Sequence, residues 1–252
     1  MPRNRDRDAY GAELLSAFRD AKGTLEIIER DDGLIAASRW PARYFSDYSQ
    51  WTERERRAAR LAHGRVLDIG CGAGRFALHL QKKGFRVTAI DNSPGAIQVC
   101  RWRGVKDARL LSISELKQLN TARFDTVLMM GNNFGLFGSR ARAQRLLRQL
   151  HRMTSANGQI IAEATDPYHT KDPLHLGYQR ANRKRGRMSG QIRFRVRHQN
   201  VIGPWFDYLL VSRDEMRSLL QGTGWKIGRI ISEAGPGYTA VIVKSQAVSR
   251  AR

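Results

Sequence analysis

The chain has 252 residues, enough for one sizeable α/β domain with a small elaboration and a full core. No apolar run approaches the roughly eighteen residues of a membrane span, residues 1–10 lack the apolar stretch of a secretory signal, and Cys71 and Cys100 alone cannot make a disulfide framework, so a reduced, cytoplasmic protein is expected. The net charge of +21, from 44 Lys and Arg against 23 Asp and Glu, favours nucleic acid or an acidic small molecule as partner and is silent on fold.

Residues 1–9 and 246–252 read as short tails, and 1–63 as a helical N-terminal extension or cap. Tyr10 to Gly23 has the spacing of an amphipathic helix with Leu14, Leu15 and Phe18 on one face. An aromatic stretch, Trp40 to Trp51, precedes a helix opened by a capping box, Thr52 with Glu55. From residue 64 to 245 strands and helices alternate. Strands are predicted at Arg65–Ile69, Arg86–Ile90, Ala108–Ile113, Thr126–Met130 and Gln159–Ala164. The helices between them include one with Pro94 in its first position after Ser93, a short one near Glu115–Leu119 and one over Ser139–Met153. Alternation of this kind implies parallel pairing and right-handed crossovers, a Rossmann-like doubly wound α/β sheet of about seven strands. After the fifth strand comes an insertion, 167–211, whose Ile192, Phe194, Val196 and Trp205 to Leu209 alternate as an added β-hairpin. A capped helix from Ser212 and two strands, Lys226–Ser232 and Tyr238–Lys244, finish the chain. Their short Gly-Pro connection makes them an antiparallel hairpin.

The loop after the first strand, Asp68-Ile69-Gly70-Cys71-Gly72-Ala73-Gly74, sits where such sheets bind ligands. It is not a P-loop, since no Gly-Lys-Ser/Thr follows. A dinucleotide pattern counted from Gly70 fails at Arg75; counted from Gly72 it survives formally, but leaves Gly70 and Cys71 inside the strand. Charge separates the ligands. Asp68, aimed into the loop, repels a pyrophosphate and attracts a ligand that carries an ammonium and a sulfonium. Asp91, ending the second strand, suits a pair of ribose hydroxyls.

With Asp68-x-Gly70-x-Gly72-x-Gly74, Ala89-Ile90-Asp91-Asn92-Ser93-Pro94, Phe124 to Leu128 and the closing hairpin, the chain resembles the class I S-adenosylmethionine-dependent methyltransferases over roughly 64–166 and 212–244. The resemblance implies S-adenosylmethionine as cofactor, Gly70, Cys71 and Gly72 along its methionine part, Asp91 on its ribose and Asn92 beside the adenosine. The place of the acid that many relatives put after the third strand reads Ser112-Ile113, so Ser112 or a backbone carbonyl takes the adenine. Gly131, Asn132 and Asn133 are expected to cross the floor between cofactor and acceptor. That segment lacks the Asn/Asp-Pro-Pro-aromatic motif of enzymes acting on the exocyclic amines of bases, which disfavours adenine-N6 chemistry.

For the acceptor side, the insertion is the expected cover, with Trp205 and Tyr208 as substrate candidates and Tyr44 closing from the other side. His169, His175 and Tyr178 are candidates for a general base, and no metal site is indicated. Between Asp172 and Asp207 there is no acid among Arg180, Arg183, Lys184, Arg185, Arg187, Arg193, Arg195 and Arg197, a run suited to an anionic acceptor or an RNA backbone. The leading reading is methyl transfer to oxygen or nitrogen of a small, anionic molecule. RNA methylation through the basic surface is second, and a non-catalytic S-adenosylmethionine-binding protein third. No membrane association is expected; acceptor atom and oligomeric state are not set by the sequence.

Overall fold

The computed structural model describes residues 7–20, 23–119 and 123–245; residues 1–6 of the N-terminal tail and the whole C-terminal tail lie outside them. The chain opens with α1 (Ala9–Arg19), a hairpin of β1 (Glu26–Arg30) and β2 (Ile35–Ser38), and two 3-10 turns, Trp40–Phe45 and Tyr48–Gln50. Next come α2 (Glu53–Arg60), β3 (Arg65–Ile69), α3 (Arg75–Lys82), β4 (Arg86–Asp91), α4 (Pro94–Trp102) and β5 (Ala108–Leu110). A 3-10 turn at Ile113–Gln118 leads to β6 (Phe124–Met129), another at Asn133–Phe137 to α5 (Arg140–Met153) and β7 (Thr154–Thr165). The insertion holds α6 (Pro173–Lys184), β8 (Gln191–His198), β9 (Val201–Ile202) and β10 (Phe206–Leu209). The chain closes with α7 (Arg213–Leu220), β11 (Trp225–Ser232) and β12 (Gly237–Lys244).

The main sheet has seven strands in the order β11-β12-β7-β6-β3-β4-β5. β12 runs antiparallel to both its neighbours, and the pairs from β7 to β5 are parallel. Its central strands are apolar on both faces because helices cover both. Leu67, Val127 and Ile160 pack with α5 and α7 on one side, Val66, Leu128 and Ile161 with α2 and α3 on the other. The arginine-rich α5 forms because Ala143, Leu146, Leu147 and Leu150 make a fully buried stripe, leaving Arg145 and Arg148 exposed. Order reverses beside β3, so the glycine loop leaves the sheet at its switch point.

A second, antiparallel sheet, β10-β8-β1-β2 with β9 on β8, joins the N-terminal hairpin to the insertion. The expected pairing of the two halves of the insertion is present, Phe194 facing Phe206 and Ile192 facing Tyr208. The N-terminal extension is not simply helical: β1 and β2 turn at Asp31-Asp32-Gly33, with Gly33 at φ +91°. The insertion also contains α6, with Asp172 as N-cap and Pro173 in the first turn, which periodicity in its second half did not disclose. The predicted strand at Ala108–Ile113 stops at Leu110, since Ser112 and Glu115 cap the 3-10 turn that follows. On α1 the buried face is Ala9, Gly11, Glu13, Leu14 and Ala17, while Phe18 is 42% exposed. Among the described residues no helix is long and apolar enough to cross a membrane.

Candidate active site

The turn after β3 reverses direction in a few residues by placing Gly70, Gly72 and Gly74 at φ +71°, +53° and +76°, where side chains are strained. A Cβ on Gly70 would lie 2.6 Å from Asn133 Nδ2, and one on Gly72 would lie 2.8 Å from the Tyr10 hydroxyl. Asp91 fastens the loop: its Oδ2 accepts from the Gly72 N–H at 3.0 Å and its Oδ1 from the Ser93 N–H at 3.0 Å. A carboxylate has about four lone-pair sites, so this geometry leaves Asp91 capacity for a ligand. Asp68 is buried behind the loop. Burial, then the nearby Asp91, push its carboxyl up to about 7, and burial raises Asp91 to about 6. Asn92 is exposed at the lip.

The segment after β6 lies against the glycine loop. The Asn133 amide donates to the carbonyls of Ile69 and Gly70, at 3.0 and 2.8 Å, and ties the β6 loop to the glycine loop. Gly131, at φ +71°, donates its N–H to Glu163 and faces open space, with nothing within 4 Å of a Cβ position. Asn132 is left-handed at φ 66°, and its carbonyl accepts from the Tyr208 hydroxyl at 2.6 Å. Its side-chain Oδ1 is buried without a partner. Cys71 is a buried thiol 3.6 Å from Cys100, whose own Sγ donates to the Gly72 carbonyl. Their contact and burial hold the Cys71 thiol far above its ordinary range, as neutral lining. Ser112 uses its hydroxyl to cap the 3-10 turn, accepting from the Ser114 N–H, with Ile113 buried beside it. The hydroxyl proton is left to give.

The three proposed bases lie in other company. His175 bonds Arg30 at 2.8 Å, and the Tyr178 hydroxyl donates to Asp31 at 2.6 Å, so both join α6 to the β1–β2 turn. His169 is exposed beyond β7. Trp205 lies under the Arg195 guanidinium, 4.5 Å from ring to cation. Of the aromatic stretch, Trp51 packs on Phe76 at 4.2 Å and Tyr48 stacks on His79 at 4.4 Å. Tyr44 comes within 4 Å of the Gly72 Cβ position.

Residues that the sequence reading passed over complete the enclosure. Tyr10, on α1, meets Tyr44 edge-to-face at 5.7 Å, and the Tyr44 hydroxyl donates to Glu26 at 2.9 Å. Glu13, one helical turn from Tyr10, is fully buried, and neither carboxylate oxygen has a hydrogen-bond partner among the described residues. Burial, then Glu26, push Glu13 up to about 9. Burial likewise raises Glu26 and the phenols of Tyr10, Tyr44 and Tyr208. The available signal was an acid at position 13 inside the stripe Tyr10, Glu13, Leu14, Ala17, spaced as one helix face. Beside this enclosure Asp8 caps α1 through the Gly11 N–H, and its other oxygen accepts from Ser93 Oγ and the Gly95 N–H, both at 2.9 Å. Asp8 therefore anchors a residue assigned to the tail.

Alternation along β8 sorts the insertion's charges. Cross-strand neighbours share a face, so Glu26, Ile28, Phe194, Val196, Phe206 and Tyr208 look one way. Arg193, Arg195 and Arg197 look the other way, where Glu29 pairs with Arg195 and Arg197 at 2.9 and 3.1 Å. Arg187 pairs with Asp207 at 3.3 Å. Arg195 and Arg197 thus find their acid on β1, and Arg187 finds Asp207, the acid that closes the stretch.

Residues 66–158 match a family described as "Methyltransferase domain". The chain is 39% identical over 75 residues to a ubiquinone biosynthesis O-methyltransferase of Xanthomonas oryzae pv. oryzae, a match covering 28% of this chain and 31% of that protein. It is 45% identical over 83 residues to the protein of that name from Methylocella silvestris, covering 31% and 32%. These matches therefore span about a third of the curated relatives' length. Among solved structures, a SAM-dependent methyltransferase from Bacteroides fragilis in complex with S-adenosyl-L-homocysteine superposes with a TM-score of 0.80 at 27% identity, covering 96% of this chain and 97% of that one. A methyltransferase from Streptomyces caelestis shares the fold at a TM-score of 0.58 and 15% identity, covering 81% and 98%.

Proposed function

Since the chain belongs among the class I S-adenosylmethionine-dependent methyltransferases, we propose that it transfers a methyl group to oxygen or nitrogen of a small molecule bound between the glycine loop and the second sheet. The observation that carries this reading is the cluster beside Gly72, where the Tyr10 hydroxyl and the Tyr44 ring approach the glycine, Tyr44 donates to Glu26, and Tyr208 donates to the Asn132 carbonyl on the β6 side. Bound S-adenosylmethionine supplies an electrophilic methyl group on a sulfonium whose departing thioether is neutral. The chain's own contribution is proximity, orientation and exclusion of water.

The residues fit that cofactor. Asp91 keeps acceptor capacity for ribose hydroxyls, Asp68 lies behind the loop as a carboxyl that a cation returns to its ionised form, and Gly131 leaves its side of the floor open. Gly70, Cys71, Gly72 and Gly74 shape the cradle, Asn92 stands at the adenosine lip, and Ser112 with Ile113 flanks the adenine end. An oxygen acceptor, as the names of the curated relatives suggest, is the second reading; phenols or alcohols then meet Glu13 as base. Of the insertion's cations, Arg193, Arg195 and Arg197 occupy the face of their sheet opposite Glu26, with Arg195 and Arg197 matched to Glu29, so these three do not favour an anionic acceptor beside Glu26.

Calorimetry tests the cofactor assignment. S-adenosylmethionine and S-adenosylhomocysteine should bind, with NADH and ATP silent. Asp91→Ala should weaken both by about 1.5–3 kcal/mol, the range for hydrogen bonds to a charged group. Tight NADPH binding with no response to S-adenosylmethionine overturns it.

A further inference from the structure

We propose that the acceptor is a small molecule bearing a protonated amine, gripped through its ammonium by Glu13 and Glu26, with Glu13 taking up the proton that frees the nitrogen lone pair. The inference rests on the methyltransferase reading above and names the substrate class for that site.

It starts from what the enclosure lacks. Buried polar groups in folded proteins almost always have partners, and the exceptions ask for an explanation. Here both carboxylate oxygens of Glu13 and the amide oxygen of Asn132 are buried with none among the described residues. The amide oxygen accepts, and so do both oxygens of Glu13 once it is ionised, so a donor whose charge ionises Glu13 satisfies all three. Glu26 stands near enough to Glu13 to raise it electrostatically, and the Tyr10 and Tyr44 phenols feel both acids. Among the described residues no basic side chain offsets the effect of burial and of Glu26 on Glu13. The β8 arginines that might have served are turned to the opposite face and matched to Glu29.

Two neighbouring carboxyls, Glu13 fully buried and Glu26 partly so, resist ionising together without a cation. An ammonium group answers every part of this arrangement. It carries three N–H donors and no acceptor, its charge restores the ionised form of the pair, and the aromatic faces of Tyr10 and Tyr44 favour a cation beside them. A neutral alcohol offers one donor and leaves the acid pair uncompensated. A carboxylate adds a third negative group.

The chemistry balances. An ammonium N–H proton passes to a carboxylate oxygen of Glu13, leaving a neutral amine. Its lone pair forms the new N–C bond to the methyl of S-adenosylmethionine while the S–C bond breaks and sulfur keeps that electron pair. The product is the N-methylammonium, and Glu13 returns its proton to solvent when the enclosure opens.

The experiment uses the full-length protein saturated with S-adenosylhomocysteine and matched probes that differ in one group. These are 2-phenylethylamine, hexylamine and glucosamine; 2-phenylethanol, hexanol and glucose; and phenylacetate, hexanoate and glucuronate. Melting shifts identify binders and calorimetry measures them. At least one amine is expected to bind while its alcohol and acid counterparts do not. Glu13→Gln should weaken that amine roughly tenfold or more, the loss of a charge-assisted contact, while S-adenosylhomocysteine holds within about twofold. Glu26→Gln, a second near-isosteric variant, should weaken the amine in the same direction. Failure of every amine, preference for alcohols or acids, or an amine affinity indifferent to both variants overturns the inference. Failure of S-adenosylhomocysteine to bind the unaltered protein sinks the methyltransferase reading instead.

Discussion

Glu13 titrates in the folded chain near 9, because burial and then Glu26 disfavour its charge, whereas an exposed Glu titrates near 4.5. Between those values the folded state holds a proton that the unfolded chain has released. Stability from this group is complete below the unfolded value and is lost as pH rises toward 9; raised Asp68 and Asp91 act with the same sign over shorter windows. Urea unfolding at about pH 5, 7 and 8.5 should therefore show stability falling with pH, and falling less in Glu13→Gln, which removes the titration. Parallel slopes for the two proteins count against a buried, partnerless Glu13. The facing titratable groups, Glu26, Tyr10 and Tyr44, remain in the variant, so the difference reports position 13. Asp68, Asp91 and the glycines were legible in the sequence because a strand end followed by Gly-x-Gly-x-Gly is a local signature. Glu13 and Glu26 were not, because what makes them unusual is the company of residues far along the chain.

Helix α1 reaches the site because its backbone crosses α4 at two glycines. A Cβ on Gly95 would lie 2.6 Å from the Gly11 Cα, against backbone that has no rotamer to give. Helix propensity alone favours Gly95→Ala by up to about 1 kcal/mol, but overpacking a close crossing costs about 1–3 kcal/mol, and the clash should win. The variant is expected to lose stability in urea and, through displaced Asp8 and Tyr10, to lose amine binding more than cofactor binding. Unchanged stability and binding remove the claim that this crossing sets the position of α1. The capped helices α2, α4 and α7 and the parallel strands were readable from periodicity and end signals. The β1–β2 hairpin was missed although Asp32-Gly33 marks its turn, since an acidic, half-exposed pair of strands offers little apolar alternation. Likewise α6 was hidden behind a search for β-pattern, though Asp172-Pro173 is a helix start.

Across the whole molecule, the excess of positive charge is dispersed more than the sequence suggests. The insertion read as unopposed meets Glu29 from β1 and Asp207 from β10, and the exposed arginines of α5 belong to a solvated helix face. A backbone-tracking RNA protein neutralises several phosphates together, with log affinity falling by about 0.7 per phosphate against log salt on a single strand. Retention of mixed-sequence RNA between about 50 and 300 mM salt should instead be weak, with a slope shallower than about −3. Sub-micromolar binding with a steeper slope, lost when Arg183, Lys184 and Arg185 are neutralised, restores the nucleic-acid reading. Net charge was visible in the composition, but its pairing required the second sheet, and that sheet depends on contacts no local pattern encodes.

That sheet also sets a timetable for synthesis. Glu29 and Arg197, partners across β1 and β8, are 168 residues apart in the chain. At the ribosome's pace of about 5–20 residues per second, β1 waits roughly ten seconds or more for its neighbour. During that interval the hairpin has two open edges and no core beneath it, and a two-stranded ribbon alone is marginal in water. The parallel strands β3 to β7 all precede β8 in the chain and can pair first, with the β11–β12 hairpin added afterwards. The roof over the glycine loop therefore closes only after the parallel core beneath it has been made, and Glu13 is enclosed on a support already in place.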